Sequence, residues 1–381
     1  MGELEPGGGP EDEVIESEVE AEGSRSVEFP CGECGADMTW DPDVDALACA
    51  YCGNRTEVPR AEGTIVERAL GEAPQAERGL GLELRVSQCD SCGARVTFEG
   101  AETADLCVYC GSAKVLAQEA NRNAIRPESL VPLDVGRDDV EQKFREWIHG
   151  LWFRPNALKK ARSFEAVGIY VPFWTFDAHV HSDWSADAGY YYYVTQTYTT
   201  MVNGKPVMRT RQVRKVRWRP AWGSRDDRFD DHLLHASKGQ PAGLVRALGD
   251  FDTRALVPYR PEYLAGWRAE EYSVDLDVGW EQAQDEMVAI QERRCAGDVP
   301  GDTHRNLRVR NAINDVRWKH VLLPIWSLQY RFGGKVYTVL IHGQTGKVVG
   351  KAPISWAKIL VLVLAILGVI GIGLGLAAAF G

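Results

Sequence analysis

Eight of the nine cysteines fall into four Cys-x-x-Cys-Gly knuckles. Cys31 and Cys34 precede Gly35, Cys49 and Cys52 precede Gly53, Cys89 and Cys92 precede Gly93, and Cys107 and Cys110 precede Gly111. Fourteen residues separate the knuckles of each pair, and the second pair repeats the first at an offset of 58 positions. Two residues between sulfurs let a tight turn aim both at one ion, and the Gly supplies the positive φ that the turn needs. Four thiolates saturate a tetrahedral Zn2+, so two closed, structural ions are expected, with no vacant position for catalysis. Such a site contributes roughly 10–16 kcal/mol near neutral pH, more than a module this small gains from its own core. Disulfides or an iron–sulfur centre are the competing uses, and a cytoplasmic body disfavours disulfides.

A second set of candidate ligands is Asp177, His179, His181 and Asp183, spaced two apart. On a strand all four share one face, and His-x-His there is a workable metal pair with carboxylates to complete or orient it. The competing reading is a polar sheet face with charge-paired histidines. Asp230, Asp231, His232, His235, Asp302 and His304 extend the candidates. Cys295 follows Arg294, whose charge would lower a thiol pKa; an inert cysteine behind a helix is the alternative.

The third candidate is basic. Asn203-Gly204 between two strand-like runs is a two-residue hairpin signal. Pairing Val202 with Lys205 places Tyr198 opposite Arg209, Gln196 opposite Arg211, Tyr192 opposite Lys215 and Tyr190 opposite Arg217. Arg209, Arg211, Lys215, Arg217 and Arg219 then share a face with those tyrosines. Three uses are open: a solvated ladder of cation–π pairs, contact with anionic lipid, or stacking and phosphate contact with nucleic acid.

The elements that must position these groups follow from composition. The 381 residues are 45% hydrophobic and 25% charged, which excludes a wholly disordered, collagen-like or polytopic membrane chain. The net charge of -11 is uneven: residues 1–28 carry -9, residues 29–120 another -9, and the remainder +7. A single basic nucleic-acid-binding body is excluded, and the acidic ribbons point to protein partners because phosphate binding needs Lys and Arg. The expected class is α+β: a disordered acidic tail over 1–28, ribbons over 29–60 and 87–120, a linker over 61–86, a duplicated α+β domain over 121–355 and a transmembrane anchor over 356–381.

The duplication is read from two echoes, Leu130-Val131-Pro132 with Leu256-Val257-Pro258, and Val171 to Phe176 with Leu323 to Leu328. Val140, Phe144, Trp147, Ile148 and Leu151 mark one helix face, and Trp280, Ala283, Met287 and Ile290 another. Strands are predicted over 190–201, 207–218, 321–332 and 335–340, the last two joined by Gly333-Gly334. From Ile359 to Phe380 no residue is charged, a run of about 33 Å as a helix, enough for a hydrocarbon core of about 30 Å. Lys347, Lys351 and Lys358 precede it, so the body is expected on the cytoplasmic face of the membrane, as a tail anchor without a secretory signal. Gly371, Gly375 and Ala379 form a small-residue stripe suited to homodimer packing.

No Gly-x4-Gly-Lys-Ser/Thr, Gly-x-Ser-x-Gly, kinase set or dinucleotide fingerprint is present, and Gly343-Gln-Thr-Gly346-Lys347 reads as a strand-end turn. No catalytic residue is therefore nominated beyond the His179/His181 face. The paired ribbons, Val171-Pro-Phe-Trp-Thr-Phe-Asp177, Gly301-Asp-Thr-His-Arg-Asn306, Leu323-Pro-Ile-Trp326 and Gly343 to Lys347 together resemble a bacterial membrane-anchored double zinc-ribbon family. Its members are labelled TFIIB-type zinc ribbon protein, or primosomal protein N-prime (replication restart helicase)-like. The resemblance spans roughly residues 29–358 and implies zinc binding, and the labels imply a nucleic-acid link. The ATP-binding motif of a helicase is missing, and the family supplies no catalytic residues to carry over.

Overall fold

The structure is a computed structural model that describes residues 29–60, 63–80, 85–98, 106–121, 123–156, 158, 165–202, 205–238 and 242–380. The expected acidic tail over 1–28 and the Asn203-Gly204 turn lie outside them. The fold is mixed α+β and mostly sheet. One small sheet holds β1 (Met38–Asp41), β2 (Ala46–Cys49) and β3 (Arg55–Thr56). After β4 (Arg68–Ala69), a second holds β5 (Arg85–Cys89), β6 (Arg95–Phe98) and β7 (Val115–Glu119). Then come β8 (Ser129–Leu130), α1 (Arg137–Gly150), β9 (Glu165–Val202), β10 (Lys205–His235), α2 (Ala242–Leu248), β11 (Val257–Pro258) and β12 (Arg268–Ala269). They are followed by α3 (Leu276–Asp298), β13 (Thr303–Phe332), β14 (Lys335–His342), β15 (Val348–Gly350) and α4 (Trp356–Phe380).

The main sheet runs β10-β9-β13-β14-β15, with β4, β8, β11 and β12 joined at its margins. Segment 61–86, read above as a linker, therefore supplies a strand: β4 pairs with β13 at Arg317 and Trp318. Gly333 and Gly334, at φ 57° and 74°, turn β13 into β14 as their sequence predicts.

Burial changes along the long strands, and the sequence explains how. Val171–Ala178 of β9 and Trp318–Leu328 of β13 are buried residue after residue, because elements cover both faces there. From Ala178 to Ala188 only alternate residues are buried, and that face packs on α3. The α3 row is Gly279, Ala283, Met287, Gln291 and Cys295, with the expected Trp280 and Ile290 only partly buried. Gly279 is required by close approach: a Cβ would lie 2.8 Å from Cδ1 of Trp174. Pairing between β9 and β13 ends at Gly189 with Thr303. Beyond it β9 and β10 continue as a two-stranded ribbon with no buried residue among those described.

The sequence echoes meet in space. Leu130 of β8 faces Val257 of β11, and Val171 of β9 faces Leu323 of β13. Strand β8 also runs parallel to β13, and β12 parallel to β9, so each half lays a short strand on the long strand of the other.

Helix α4 starts against the loop after α1. Ser355 N donates to Phe153 O at 2.8 Å, and Lys358 Nζ donates to Trp152 O at 3.1 Å and Asn156 Oδ1 at 2.7 Å. Its side chains are described as far as Ile372, and none of them is buried. Among the described residues no helix is long and apolar enough to cross a membrane, so the expected span over 356–381 is not shown; the side chains of α4 beyond Ile372 lie outside that description. Gly371 faces open space, and the surroundings of Gly375 and Ala379 lie outside the description.

Candidate metal centres and the basic hairpin

All four knuckles adopt one backbone form. The N–H groups of Gly35, Gly53, Gly93 and Gly111 donate to the carbonyls of Cys31, Cys49, Cys89 and Cys107 at 2.7–2.9 Å. Each glycine sits at φ between 67° and 76°, as the turn requires. Cys31 Sγ lies 3.5 Å from Cys52 Sγ, and Cys34 from Cys49 also 3.5 Å. In the second ribbon the Cys89–Cys110 and Cys92–Cys107 separations are 3.6 Å. A tetrahedral ion with Zn–S bonds of about 2.3 Å separates its sulfurs by about 3.8 Å, whereas a disulfide needs about 2.05 Å. No cysteine is in a disulfide. The expected sets Cys31, Cys34, Cys49, Cys52 and Cys89, Cys92, Cys107, Cys110 are thus two all-cysteine sites suited to a metal ion.

The electrostatics favour a cation. Backbone N–H groups of Cys34 and Glu33 pull the Cys31 thiol down to about 6, and that of Cys52 lowers Cys49. The hydrogen bond with Cys92, helped by N–H groups of Cys110 and Tyr109, pulls Cys107 down to about 5. Cys92 is correspondingly pushed up, first by Cys107 and then by burial. Thiolates this close require a positive ion for all four to ionise.

The ribbons do not hang from the body; they form part of its cores. Cys31, Met38, Trp40, Leu47 and Cys49 share a cluster with Leu130, Phe144 and Trp326. Trp40 stands edge-on to Tyr263 at 4.7 Å, its backbone N–H donates to Ala265 O, and its carbonyl accepts from Trp267 Nε1 at 2.8 Å. The second ribbon is held by its knuckle. Gln329 Nε2, Ser327 Oγ and Thr338 Oγ1 donate to the carbonyls of Cys107, Val108 and Tyr109 at 2.7–2.8 Å. A Cβ on Gly111 would lie 2.8 Å from Val336 Cγ1. The last knuckle, which sequence alone leaves free to meet a partner, is therefore consumed internally. In the first ribbon Tyr51 stays 87% exposed between Cys49 and Cys52.

Tyr109 also donates to buried Glu270 at 2.8 Å, and Ser237 Oγ donates to the other carboxylate oxygen. Burial pushes the Glu270 carboxyl up to about 7. A carboxyl raised above its unfolded value stabilises the fold fully below that value and loses the contribution as pH rises through 7. Glu270→Gln is expected to remove this slope. Relative to wild type the variant gains up to about 3 kcal/mol between pH 5 and pH 8, read from urea midpoints.

The second metal candidate is not assembled. His179 is exposed, while His181 Nδ1 lies 2.7 Å from Asp226 and its Nε2 3.5 Å from Asp183. The Asp226 hydrogen bond raises the His181 pKa, with Asp183 adding to it. His232 is taken up by Glu286 at 2.9 Å. Among the described residues Asp177 alone of the four joins a group of close ligand atoms, and its companions are Glu67 and Asp231. The cation in that group is a lysine: Lys319 Nζ lies 2.9 Å from Glu67 and 2.5 Å from Asp231. Asp177 Oδ1 accepts from Asp231 N at 2.6 Å, and burial raises Asp177 to about 6. Sequence reasoning missed this group because its members come from four distant segments; the bulges at Phe229/His232 and Asn314/Arg317 bring them together. The reactive reading of Cys295 does not hold, since the residue is fully buried and burial raises its thiol pKa.

The basic hairpin has the register its sequence predicts. Lys205 faces Val202, Arg209 faces Tyr198, Arg211 faces Gln196, Lys215 faces Tyr192 and Arg217 faces Tyr190. The guanidinium of Arg211 lies over Tyr198 at 5.4 Å, Arg214 over Tyr191 at 4.3 Å, Arg217 over Tyr192 at 5.4 Å and Arg219 over Tyr190 at 5.8 Å.

No known family description matches the chain, and no solved structure matches it. The chain is 26% identical over 338 residues to the Uncharacterized protein YdjG of Bacillus subtilis (strain 168). The alignment covers 87% of this chain and 92% of that protein.

Proposed function

We propose that this chain is a zinc-stabilised scaffold, tethered to the cytoplasmic face of a membrane by α4, that presents its body to protein partners. The carrying observation is the junction at Ser355. A 25-residue helix without a buried side chain among those described leaves the body there, beside Trp152 and Trp356, exposed at 78% and 75%. Amphipathic indole rings and the Lys358 ammonium around the start of an apolar helix suit a bilayer interface. Zn2+ is the ion that best fits two all-thiolate tetrahedral sites without an open position. Exposed Tyr51, with Cys34 and Cys52 on the same outer end, is a part of the ribbons open to a partner. The interleaved halves support an origin by duplication.

The tether is tested by fractionation. The full chain is expected to stay in the membrane pellet after alkaline carbonate, and a chain ending at Ile354 to move to the supernatant. Full-length protein released by carbonate would end the tether reading.

A second reading, nucleic-acid binding through residues 205–219, is favoured by seven bases and no acid in that stretch. It predicts salt-sensitive retention of DNA or RNA that is lost when Arg209, Arg211 and Arg217 are replaced. The weaker enzyme reading at His179 and His181 requires a third metal ion per chain.

A further inference from the structure

We infer that the free end of the β9–β10 hairpin docks on an anionic lipid surface, its apolar tip entering the interface and its cations meeting headgroup phosphates. The inference names a partner for the scaffold and uses the tether reading only to place that partner.

The first observation is charge. Residues 190–217 carry six bases and no acid in a chain of net charge -11. The second is shape. A two-stranded ribbon is marginal in water, yet this one runs past the last β13 pair at Gly189 without any covering element among the described residues. The third is order along the ribbon. At the tip Lys205 faces Val202, and around that pair Met201, Val202, Val207 and Met208 are exposed at 65%, 38%, 39% and 75%. Below them come Tyr198, Arg209 and Arg211, then Tyr190 to Tyr193 with Arg214, Lys215 and Arg217. A mainly apolar tip whose one lysine can extend its ammonium back to the headgroups, then tyrosine with further cations, matches the depth profile of a bilayer interface.

Nucleic acid fits less well. Stacking requires open ring faces, and four tyrosine rings already carry a guanidinium at 4.3–5.8 Å. The exposed methionines at the tip would have no counterpart on a phosphodiester backbone.

Topology adds a direction. The Lys351 carbonyl, just before α4, accepts from Tyr330 Oη at 3.0 Å, at the end of β13 that pairs with the start of β9. The hairpin tip is the other end of the 38-residue β9. At about 3.3 Å per residue the two ends are separated by on the order of 100 Å along the strand. The hairpin thus reaches a lipid surface remote from the point where α4 leaves the body.

The test uses the full chain in nanodiscs of phosphatidylcholine, so that no anionic lipid is offered at α4. Retention by the disc reads the tether. Co-sedimentation with added vesicles reads the hairpin, and protein that leaves the disc is tested on the vesicles directly. Capture is expected by vesicles of equimolar phosphatidylcholine and phosphatidylglycerol, not by phosphatidylcholine alone, and is expected to fade in high salt. Replacing Arg211, Arg214 and Arg217 by Gln should weaken capture on the order of a hundredfold, and by Lys only slightly. Met201→Ser with Met208→Ser should weaken it about tenfold at unchanged charge. Equal capture by neutral vesicles, indifference to the Gln replacements, or silent methionine replacements would each overturn the inference. So would double-stranded DNA held more tightly than the anionic vesicles at the same salt, which would favour the nucleic-acid reading.

Discussion

Removal of the two metal ions is expected to unfold more than the ribbons. Elemental analysis of the native chain should give two zincs. Chelation, or Cys89→Ser with Cys107→Ser, should abolish cooperative unfolding of the body as well as of the second ribbon. A structural all-thiolate site contributes roughly 10–16 kcal/mol, at least as much as the 5–15 kcal/mol by which whole domains are stable. The loss is not confined locally. Cys89 and Cys107 belong to one core with Ile169, Val171, Phe173 and Leu323 of the long strands. Without the ion the knuckle relaxes, and Ser327, Gln329 and Thr338 lose the carbonyls they hold. All three are at least partly buried, and a buried donor left unpaired costs about 1–3 kcal/mol. Near-ultraviolet circular dichroism with metal release followed by a colorimetric chelator measures both events together. A metal-free chain that keeps its tertiary signal, with eight titratable thiols, would contradict the assignment.

Lys319→Met is expected to destabilise the fold by about 3–5 kcal/mol, the cost of leaving buried charges without their partner. Lys319 is 5% exposed and is the cation nearest to Glu67 and Asp231. In its absence three ligand oxygens stay within 4.8 Å of one another. Asp177, already pushed up to about 6, would then titrate higher still. The destabilisation should accordingly shrink as pH falls from 8 to 5, because protonated carboxyls no longer repel. Ca2+ should recover part of the loss in the variant and do nothing for wild type. Urea unfolding across that pH range checks all three statements, and a variant as stable as wild type at pH 8 would show that the lysine has no such role.

Legibility followed the range of the interactions involved. The knuckles are local: two residues between sulfurs and a following glycine fix a turn whatever the rest of the chain does. All eight cysteines and the four positive-φ glycines were therefore readable from spacing. The hairpin register was readable for the same reason, since a two-residue turn fixes every later pair until a bulge intervenes, here after Phe229. The extent of β9 was not readable. Its middle alternates with polar residues such as Asp177, His179 and Asp183, and what keeps that stretch extended is pairing on both edges and the α3 face beneath it. The His179/His181 proposal failed to gather ligands on the same ground: period two put the side chains on one face, but the neighbours came from other strands.

By itself, then, the sequence determined which sulfurs bind together, where the hairpin turns, and that residues 359–380 form an uncharged run with a basic approach. These depend on spacing over a few residues and on composition, and neither needs a partner element. Only the tertiary structure decided that both ribbons are built into the body's cores, that Tyr109 hands its hydroxyl to Glu270, and that Lys319 is the ion among three acids. It also decided that the hairpin tip and the start of α4 lie at opposite ends of β9. Those facts rest on contacts between residues far apart in the chain, such as Lys319 with Glu67 at a separation of 252. Burial and register set such contacts, and a chain read in order carries no local mark of them.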